Sequence, residues 1–357
     1  MIDFAAGGTG GHLQPALALA EELERRSPRW QCRFLIAGRP VEREFLAERE
    51  VVEVFPGFRS RPSPLRLDQW LGGIRRLVAD RRHGHPDLLV AVGGYVSAVA
   101  VLARTGVPMI LLEPDRIPGK VCRVLRPMAR RVLRQWPDGA DTQRVTTSGM
   151  PLRWRGVPRR RTARLELGLE PEAPTLLVCG GSQGSRAINQ RVVAGLDDLR
   201  SMPELQLIHL TGEADFKELR DRYASLDHRV VVAPFRADMA RLYAAADLIV
   251  ARAGGMTVAE IAAAGRSAVF VPYPHHANDH QAANAGVLVD VGAATMVREE
   301  DCPEREFLAR HILPRLDSPE DLRRAEKAAA ALGRPHAAQQ VADVIESILE
   351  EAPEGAA

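Results

Sequence analysis

Short apolar runs alternate with amphipathic segments along the first half of the chain. Residues 2–6, 32–37, 88–92 and 109–112 have the length and apolar content of buried strands. Residues 15–26 instead place apolar side chains at helical spacing, with one face formed by Leu13, Ala16, Leu17, Ala20 and Leu23. Alternation of this kind predicts βαβ units and a parallel sheet covered on both faces.

The same pattern restarts in the second half of the chain. Residues 153–174 are rich in Arg and Pro and look like a connection between domains. Strand-like runs follow at 176–179, 205–210, 230–233, 248–250 and 268–271, and a last helical segment covers 337–349. The pattern predicts an α/β protein with two Rossmann-like, doubly wound domains facing across a cleft. We expect residues 1–155 plus 337–357 to form the first domain and residues 156–336 the second.

Composition and charge narrow the classes of partner. The chain has 357 residues, which suits two domains of ordinary size, and 46% of them are hydrophobic. Residues 1–161 hold 28 Lys and Arg against 16 Asp and Glu, whereas the remainder has a net charge of −10. Such asymmetry indicates that the first half meets an anionic partner: a phosphate-bearing substrate, an anionic membrane or nucleic acid.

Cysteine usage and the apolar runs predict a cytoplasmic protein. Cys32, Cys122, Cys179 and Cys302 are scattered, which argues against a disulfide framework or a zinc site. The first residues lead directly into a glycine loop and do not resemble a signal peptide. The longest apolar run, 88–103, is interrupted by two glycines and is shorter than the ~20 residues of a membrane-spanning helix.

Glycine-rich turns follow three of the predicted strands, at 7–11, 93–97 and 180–184. Such turns let a ligand approach the backbone, and the N terminus of the next helix favours phosphate. One glycine loop alone is as well explained by a tight packing turn, but three at corresponding strand ends favour a ligand. The first loop lacks the third glycine and the distant acidic residue of a dinucleotide site, and the chain has no Walker Lys-Ser/Thr.

Five motifs occur in a specific order: GGTGGH at 7–12, GGYVS at 93–97, GGSQG at 180–184, TVAEIAAAG at 257–265 and DHQAANA at 279–285. Together they resemble the MurG family of transferases, over residues 4 to about 295. The resemblance implies a glycosyltransferase-B fold and the inverting transfer of N-acetylglucosamine from UDP-N-acetylglucosamine. The implied acceptor is the 4-hydroxyl of lipid-linked N-acetylmuramyl-pentapeptide, so that lipid I becomes lipid II in peptidoglycan synthesis.

The resemblance also implies which residues bind the UDP-sugar. Ser182, Gln183 and Arg153 would meet the diphosphate, Phe235 and the backbone of Arg236 the uracil, and Glu260 the ribose hydroxyls. The sugar would be held by Gln281 and His280, with Asn284 supporting the same loop. The remaining donor contacts would come from the first glycine loop, at Thr9, Gly10 and Gly11. Carboxylates accept from paired hydroxyls and amides both donate and accept, so these residue types suit a nucleotide-sugar.

His12 is the candidate base. It stands at an expected helix N terminus, which favours the neutral imidazole that accepts a proton. An alternative is that His12 only orients the substrate. The chain contains no Asp-x-Asp pair, so we expect no catalytic metal and no cofactor. A metal site formed by His275, His276 and His280 lacks enough further ligands to be favoured.

The acceptor side departs from the family pattern. Gly94 and Tyr95 match, but the family's His-Glu-Gln-Asn corresponds to Leu112, Glu113, Pro114 and Asp115. Ionised Asp115 cannot donate a hydrogen bond as an asparagine does. The family's Gly-Asn-Pro has Met150 at its centre. Because of these two differences, the sequence does not decide the identity of the acceptor.

A helical stripe predicts docking to the anionic inner leaflet of the cell membrane. Its members are Leu67, Trp70, Leu71 and Ile74, with Arg75 and Arg76 beside them. Periodicity alone favours a core-facing stripe instead. A second basic run, between residues 116 and 134, supports docking, and neither run has the interleaved aromatics or a motif typical of nucleic-acid binding.

Three other functions remain compatible with these observations. The first is a related transferase with another lipid or small-molecule acceptor. The second is a UDP-sugar epimerase of the same fold, which would react without an acceptor. The third is a catalytically silent nucleotide-sugar-binding subunit at the membrane, which the combination of His12, Glu260 and Gln281 disfavours.

Overall fold

A computed structural model describes residues 1–7, 10–55, 67–80, 84–154, 156–274 and 279–351. The chain divides into two compact units. The first consists of Met1–Arg153 and Pro335–Ala357, and the second of Trp154–Arg334. Each unit is built around one parallel β-sheet, as the alternating pattern predicts.

The sheet of the first unit has seven strands in the order β3-β2-β1-β4-β5-β6-β7, and every pair in it is parallel. The strands are β1 (Ile2–Ala5), β2 (Cys32–Ile36), β3 (Glu50–Glu53), β4 (Leu88–Ala91), β5 (Met109–Glu113), β6 (Arg131–Arg134) and β7 (Val145–Thr147). The chain first builds outward from β1 and then returns to add β4 on its other side. In such sheets ligands bind beyond the carboxyl ends of the strands at this reversal, here β1 and β4.

The helices of this unit are α1 (Gly10–Arg26), α2 (Pro40–Phe45), α3 (Leu67–Ala79), α4 (Gly94–Ala103) and α5 (Lys120–Leu125), followed by a 3-10 turn at Arg126–Met128. Right-handed crossovers place α1 and α2 on one face of the sheet and α3, α4 and α5 on the other. Accordingly α3 packs on α4, and α4 packs on α5.

The C-terminal helix of the chain returns to the first unit. This helix, Ala337–Glu350, packs against α1. Arg26 at the end of α1 donates hydrogen bonds to Asp343 at 2.7 Å and to Glu346 at 2.8 Å. The apolar face of the C-terminal helix, which includes Val341 and Ile345, is buried.

The sheet of the second unit has six parallel strands in the order β10-β9-β8-β11-β12-β13. The strands are β8 (Thr175–Cys179), β9 (Gln206–Leu210), β10 (Val230–Ala233), β11 (Leu248–Ala251), β12 (Ser267–Phe270) and β13 (Ala294–Met296). The α-helices are α6 (Arg160–Glu166), α7 (Arg186–Ala194), α8 (Glu213–Tyr223), α9 (Met239–Ala245), α10 (Gly255–Ala264), α11 (His280–Val289), α12 (Leu313–Leu316) and α13 (Pro319–Leu332), so Ala337–Glu350 is α14. Single turns of 3-10 or π geometry lie at Leu196–Ser201, Glu304–Glu306 and Leu308–Ile312.

The interpretation of residues 153–174 as a connection is wrong for most of that segment. From Trp154 onward it belongs to the second unit, and α6 packs against α9. Arg164 anchors it, because the buried guanidinium donates to the carbonyl of Ala245 at 2.9 Å and to the carboxylate of Asp247 at 2.5 Å. An arginine that looks like part of a solvated linker is therefore a packed and neutralised core residue.

Two buried arginines share one buried carboxylate in the core of the first unit. Arg33 on β2 donates to both oxygens of Asp3 on β1, at 2.8 and 3.0 Å. Arg104, which follows α4, donates to Asp3 at 3.1 Å and to the carbonyl of Leu77 at 2.8 Å. Removal of one partner from such a cluster leaves uncompensated charge in a medium of low polarity.

We predict that Asp3→Asn lowers the free energy of unfolding of the first unit by about 3–5 kcal/mol. The reason is that both guanidinium groups lose their shared countercharge while they stay buried. Urea unfolding followed by circular dichroism measures the effect. Glu172→Gln is the matched control, since Glu172 pairs with Arg161 on the surface and its loss should change stability by less than about 1 kcal/mol. Equal effects of the two substitutions would contradict the prediction.

Candidate active site

Two glycine loops touch at the carboxyl ends of β1 and β4. A Cβ atom at Gly94, whose φ is +73°, would lie 2.9 Å from the carbonyl oxygen of Gly7, and a Cβ at Gly7 would overlap Val96. The buried hydroxyl of Ser97 joins the loops by donating to Ala5 O at 2.9 Å and to Gly93 O at 2.7 Å. Only glycine fits these contacts, so backbone rather than side chains forms the floor here.

His12 lies directly above this floor. The residue stands in the first turn of α1, which begins with Gly10 and Gly11. The imidazole lies 3.5 Å from the Cβ position of Gly94 and 3.8 Å from that of Gly93. The histidine and the second glycine loop are therefore neighbours, although more than 80 residues separate them in the sequence. Thr9, the other predicted residue of this loop, lies outside the described residues.

A cavity of about 290 Å³ opens beside His12. Of the residues predicted from the sequence, its walls include His12, Gly94, Tyr95 and Asp115. The walls also contain polar and charged side chains that sequence reasoning did not single out, namely Arg39, Glu113, Lys120 and Cys122. The cavity thus combines an imidazole, two carboxyl groups and two cations, a set suited to a hydroxylated and phosphorylated ligand.

Glu113 is the buried acid of the cavity. It ends β5, is 2% exposed and lies 3.7 Å from the guanidinium of Arg126. Burial raises the pKa of this carboxyl, against the opposing effect of Arg126. The comparison of residues 112–115 with the family pattern includes Glu113, but it points to Asp115 as the acceptor-side residue.

Tyr95 has a mixed role. Its hydroxyl accepts a hydrogen bond from Arg39 at 3.1 Å, and its ring packs on Phe55 with the centroids 5.7 Å apart. Tyr95 therefore both lines the cavity and anchors α4 to the core. Met150, expected at the acceptor face, is buried and only 1% exposed. That expectation is wrong, because the side chain fills core volume.

The second unit presents its own glycine loop between β8 and α7. A Cβ at Gly184, whose φ is +73°, would overlap the carbonyl of Thr211, and a Cβ at Gly180 would overlap Ser185. Ser185 caps α7, its hydroxyl accepting from the N–H of Ile188. Ser182 and Gln183 are exposed at the tip of the loop, so the helix N terminus and both predicted side chains face outward for a ligand.

A buried polar network supports this loop. Asn189 on α7 donates to Thr211 O at 2.9 Å, and His209 on β9 lies 3.0 Å from Asn189 Oδ1 and 2.5 Å from the hydroxyl of Tyr223. Burial lowers the pKa of His209 to about 3, so the ring is neutral. Because the Asn189 oxygen must accept, His209 carries its proton on Nε2 and accepts from Tyr223 through Nδ1.

Phe235 and Arg236 follow β10 at the same edge of the sheet. Phe235 is 47% exposed, unusual for an aromatic side chain. The Arg236 guanidinium is bound to Asp238 by two hydrogen bonds of 2.8 Å each. The side chain of Arg236 is thus occupied, and the contact of its backbone with uracil stays a prediction.

Glu260 is held by a residue that the sequence did not indicate. The carboxylate accepts a hydrogen bond from the hydroxyl of Tyr243 at 2.9 Å. Burial raises the pKa of Glu260 to about 7, and the Tyr243 hydrogen bond opposes this rise. Glu260 is only partly exposed, and desolvation of its carboxyl is the main cause of the raised pKa.

The start of α11 carries the last predicted group. Gln281 accepts from the N–H of Tyr273 at 2.9 Å through its amide oxygen, which directs its NH₂ group to other partners. Buried Asn284 donates to Ala253 O at 3.2 Å and ties α11 to the end of β11, a supporting role. His280 is the first residue of the helix. Asp279 has a φ of +46° and an ion pair of 2.6 Å with Arg298.

The predicted donor residues of the second unit thus lie at one edge of its sheet. They follow β8, β10, β11 and β12, and the carboxyl ends of parallel strands meet at the same edge. Arg153 belongs to the first unit, where it donates to Glu21 on α1 at 2.9 Å. That ion pair is exposed and therefore weak.

Metal ligands do not cluster in the described part of the chain, where no group of three or more His, Cys, Asp or Glu is placed to hold an ion. His275 and His276 lie outside the described residues. Cys32, Cys122, Cys179 and Cys302 are all buried free thiols.

Two family models cover most of the chain. The model of the glycosyltransferase family 28 N-terminal domain matches residues 2–134, and that of the family's C-terminal domain matches residues 175–346. The chain belongs to glycosyltransferase family 28. The first glycine loop and His12 lie in the first match, and Ser182, Glu260 and Gln281 in the second.

Full-length relatives of this family 28 protein share one name. A protein of Thermodesulfovibrio yellowstonii is 32% identical over 98% of both chains, and one of Myxococcus xanthus is 36% identical over 96% of this chain and 91% of its own. Both are named UDP-N-acetylglucosamine–N-acetylmuramyl-(pentapeptide) pyrophosphoryl-undecaprenol N-acetylglucosamine transferase. The crystal structure of Acinetobacter baumannii MurG is similar with a TM-score of 0.74 and 27% identity, over 97% of this chain and 99% of that one.

We predict that Gly184→Ala destabilises the second unit by about 1–3 kcal/mol, since alanine must adopt a left-handed backbone and clash with Thr211 O. The midpoint of thermal unfolding reports the loss. Gly156→Ala is the control, because a Cβ at Gly156 meets no atom within 4 Å. An unchanged midpoint for Gly184→Ala would show that the loop does not require glycine at this position.

Proposed function

We propose that this protein transfers N-acetylglucosamine from UDP-N-acetylglucosamine to the 4-hydroxyl of lipid-linked N-acetylmuramyl-pentapeptide, converting lipid I to lipid II in peptidoglycan synthesis. The observation that carries the proposal is the identity of 32–36% with transferases of that name across nearly the whole chain. The residues that the family resemblance assigns to the donor support it, because those in the second unit collect at one sheet edge.

The second unit would bind the donor through groups of matching chemistry. The N terminus of α7, with Ser182 and Gln183, suits the diphosphate, because unpaired N–H groups and the helix dipole favour negative charge. The exposed ring of Phe235 offers a face to the uracil. Glu260 suits the ribose hydroxyls, and the free NH₂ of Gln281 suits the sugar.

The first unit would supply the acceptor and the base. His12 accepts the proton of the acceptor 4-hydroxyl while that oxygen forms a bond to the anomeric carbon of the donor sugar. The bond from the anomeric carbon to the diphosphate breaks on the opposite face, UDP leaves with the electron pair, and an α-linked donor gives a β-linked product. Arg153 and the α7 N terminus would stabilise the leaving diphosphate, so we propose that no metal is needed.

Asp115 is the residue that supports a different acceptor as the second candidate. It lines the cavity beside His12 where the family resemblance expects an asparagine. An ionised carboxylate accepts but does not donate, so it selects hydroxyl or N–H groups on the acceptor. A transferase of the same donor specificity with a different lipid or small-molecule acceptor is therefore the second candidate.

Association with the anionic inner leaflet is supported by α3. Leu77 is buried, and Trp70 and Ile74 pack on the core, so this part of the stripe faces inward as periodicity alone suggested. Leu71 and Val78 are 50% and 52% exposed, and Arg75 and Arg76 are exposed beside them. An outward pair of apolar groups with cations around it suits a membrane surface.

The rest of the predicted membrane-docking surface consists of Leu67 and the second basic run, between residues 116 and 134. Leu67 is the first residue of α3. Val124 on α5 and Met128 in the following 3-10 turn are also exposed, with arginines beside them in the sequence. No helix of the described chain is long and apolar enough to cross a bilayer.

The direct test is transfer of radiolabelled N-acetylglucosamine from its UDP donor to a short-chain lipid I analogue, with and without chelator. Product that forms equally with chelator supports donor, acceptor and metal independence together. Binding of the donor without product points to the second candidate. Consumption of UDP-N-acetylglucosamine without any acceptor would instead indicate an epimerase.

We predict that His12→Ala lowers kcat by about 10²–10⁴-fold, because the acceptor hydroxyl loses its general base. The KM for UDP-N-acetylglucosamine should change by only a few fold, since donor binding relies mainly on the second unit. Steady-state transfer kinetics give both constants. His85→Ala serves as control, because His85 is an exposed histidine of the same unit. Transfer by His12→Ala at the wild-type rate would leave His12 only an orienting role.

We predict that Leu71→Glu combined with Val78→Glu reduces sedimentation with vesicles of anionic phospholipid by at least about tenfold, since two apolar contacts are lost and two repulsive charges are added. Leu165→Glu is the control, because Leu165 is equally exposed but belongs to the second unit. Binding that both proteins retain to the same extent would exclude this face of α3.

A further inference from the structure

We propose that Tyr243 is a positioning residue for nucleotide recognition: its hydroxyl orients the Glu260 carboxylate toward the ribose hydroxyls of the donor. The inference rests on the proposed function, which places ribose at Glu260. It goes further by assigning the selection of ribose to a pair of residues from two helices, α9 and α10, only one of which would contact the ligand.

Tyr243 is held rigidly. It is 1% exposed, and its ring packs edge-on against Trp154 with the centroids 5.7 Å apart. Its backbone carbonyl accepts from Arg266 Nε at 2.9 Å, which fixes the end of α9. The hydroxyl therefore has a defined position, from which it donates to Glu260 Oε2 at 2.9 Å.

A fixed donor matters because the last torsion of a glutamate side chain is broad and would otherwise leave the carboxylate plane undefined. With Oε2 held from the buried side, Oε1 and the second lone pair of Oε2 are directed away from Tyr243. Glu260 is partly exposed whereas Tyr243 is buried. We therefore infer that the remaining lone pairs accept from two vicinal hydroxyls that approach from the side opposite Tyr243.

The hydrogen bond also acts on the charge of the carboxylate. Burial raises the pKa of Glu260 to about 7, and the Tyr243 hydroxyl works against this rise. The titratable groups that face Glu260 are Tyr243 on α9 and the buried thiol of Cys179 at the end of β8, both of which burial keeps neutral. Tyr243 consequently favours the ionised form, which accepts from two hydroxyls at once.

The experiment compares the affinities of the whole protein for UDP and for 2′,3′-dideoxy-UDP, by calorimetry, across pH 5.5 to 9. The ratio of the two affinities isolates the ribose hydroxyls, because the uracil and the titration of the diphosphate are common to both ligands. We expect Tyr243→Phe to reduce this ratio by about five- to tenfold, the scale of one ordinary net hydrogen bond. Thr175→Val, which removes another buried hydroxyl of the same unit at the start of β8, should leave the ratio unchanged.

The pH profile separates positioning from a general loss of structure. In the wild type the ratio should fall as the pH drops through about 7, where Glu260 takes up a proton. Without the Tyr243 hydroxyl the carboxyl pKa rises further, so the midpoint should move to higher pH. In a Glu260→Gln background the ratio should be insensitive to both pH and Tyr243→Phe.

Each remaining outcome counts against a distinct claim. If the wild type does not bind UDP, the proposed function is overturned, and this inference with it. If UDP binds and Glu260→Gln abolishes the preference for UDP while Tyr243→Phe preserves it, the donor site stands and the role of Tyr243 is overturned. Should Tyr243→Phe not fold, 3-fluorotyrosine at position 243 retains the ring and is a stronger donor. A lower pH midpoint then supports the proposal, and an unchanged midpoint overturns it.

Discussion

The cavity beside His12 in the first unit and the glycine loop between β8 and α7 in the second unit depend on the same feature. In each, two backbone segments lie too close together to admit a side chain. Gly94 lies against the carbonyl of Gly7 in the first unit, and Gly184 lies against that of Thr211 in the second. Each contact joins two strand-end loops and leaves the N terminus of the next helix open. The sheets are parallel, so these loops all emerge at the edge where the strands end. Steric exclusion at a few glycines therefore decides where charge and side-chain chemistry are presented.

Polar groups beneath the two sites are arranged differently. The first unit buries a charged cluster, in which Asp3 and Asp80 face Arg33 and Arg104. In the second unit, Asn189 and His209 beneath the glycine loop are satisfied without ionisation, and the buried Arg164 is paired with Asp247 elsewhere. Some of the many arginines of the first half are thus buried and paired with carboxylates. The exposed arginines of α3 remain for an anionic surface, so net charge acquires meaning only once buried and exposed cations are distinguished.

Much of the fold was predictable because its signals are local. Central strands such as β4 and β11 are continuous apolar runs, since helices cover both faces of a parallel sheet. β3, β6, β7 and β13 were not predicted, because they are short and several of their residues are polar or half-exposed. Arg-rich α6 looked like a linker for a related reason: nothing local shows that Arg164 is neutralised by Asp247, 83 residues later.

The amino-acid sequence alone specifies the alternation of strands and helices, the glycine turns, the order of the motifs and hence the family. Each of these is carried by residues close together in the chain. The tertiary structure alone decided which side chains meet: His12 with Gly94, Glu113 with the cavity, and Tyr243 with Glu260. Such pairs depend on strand order, on β4 inserting beside β1 and on β11 beside β8. The local pattern of apolar residues indicates that a strand is buried, but it does not indicate which strands lie beside it in the sheet.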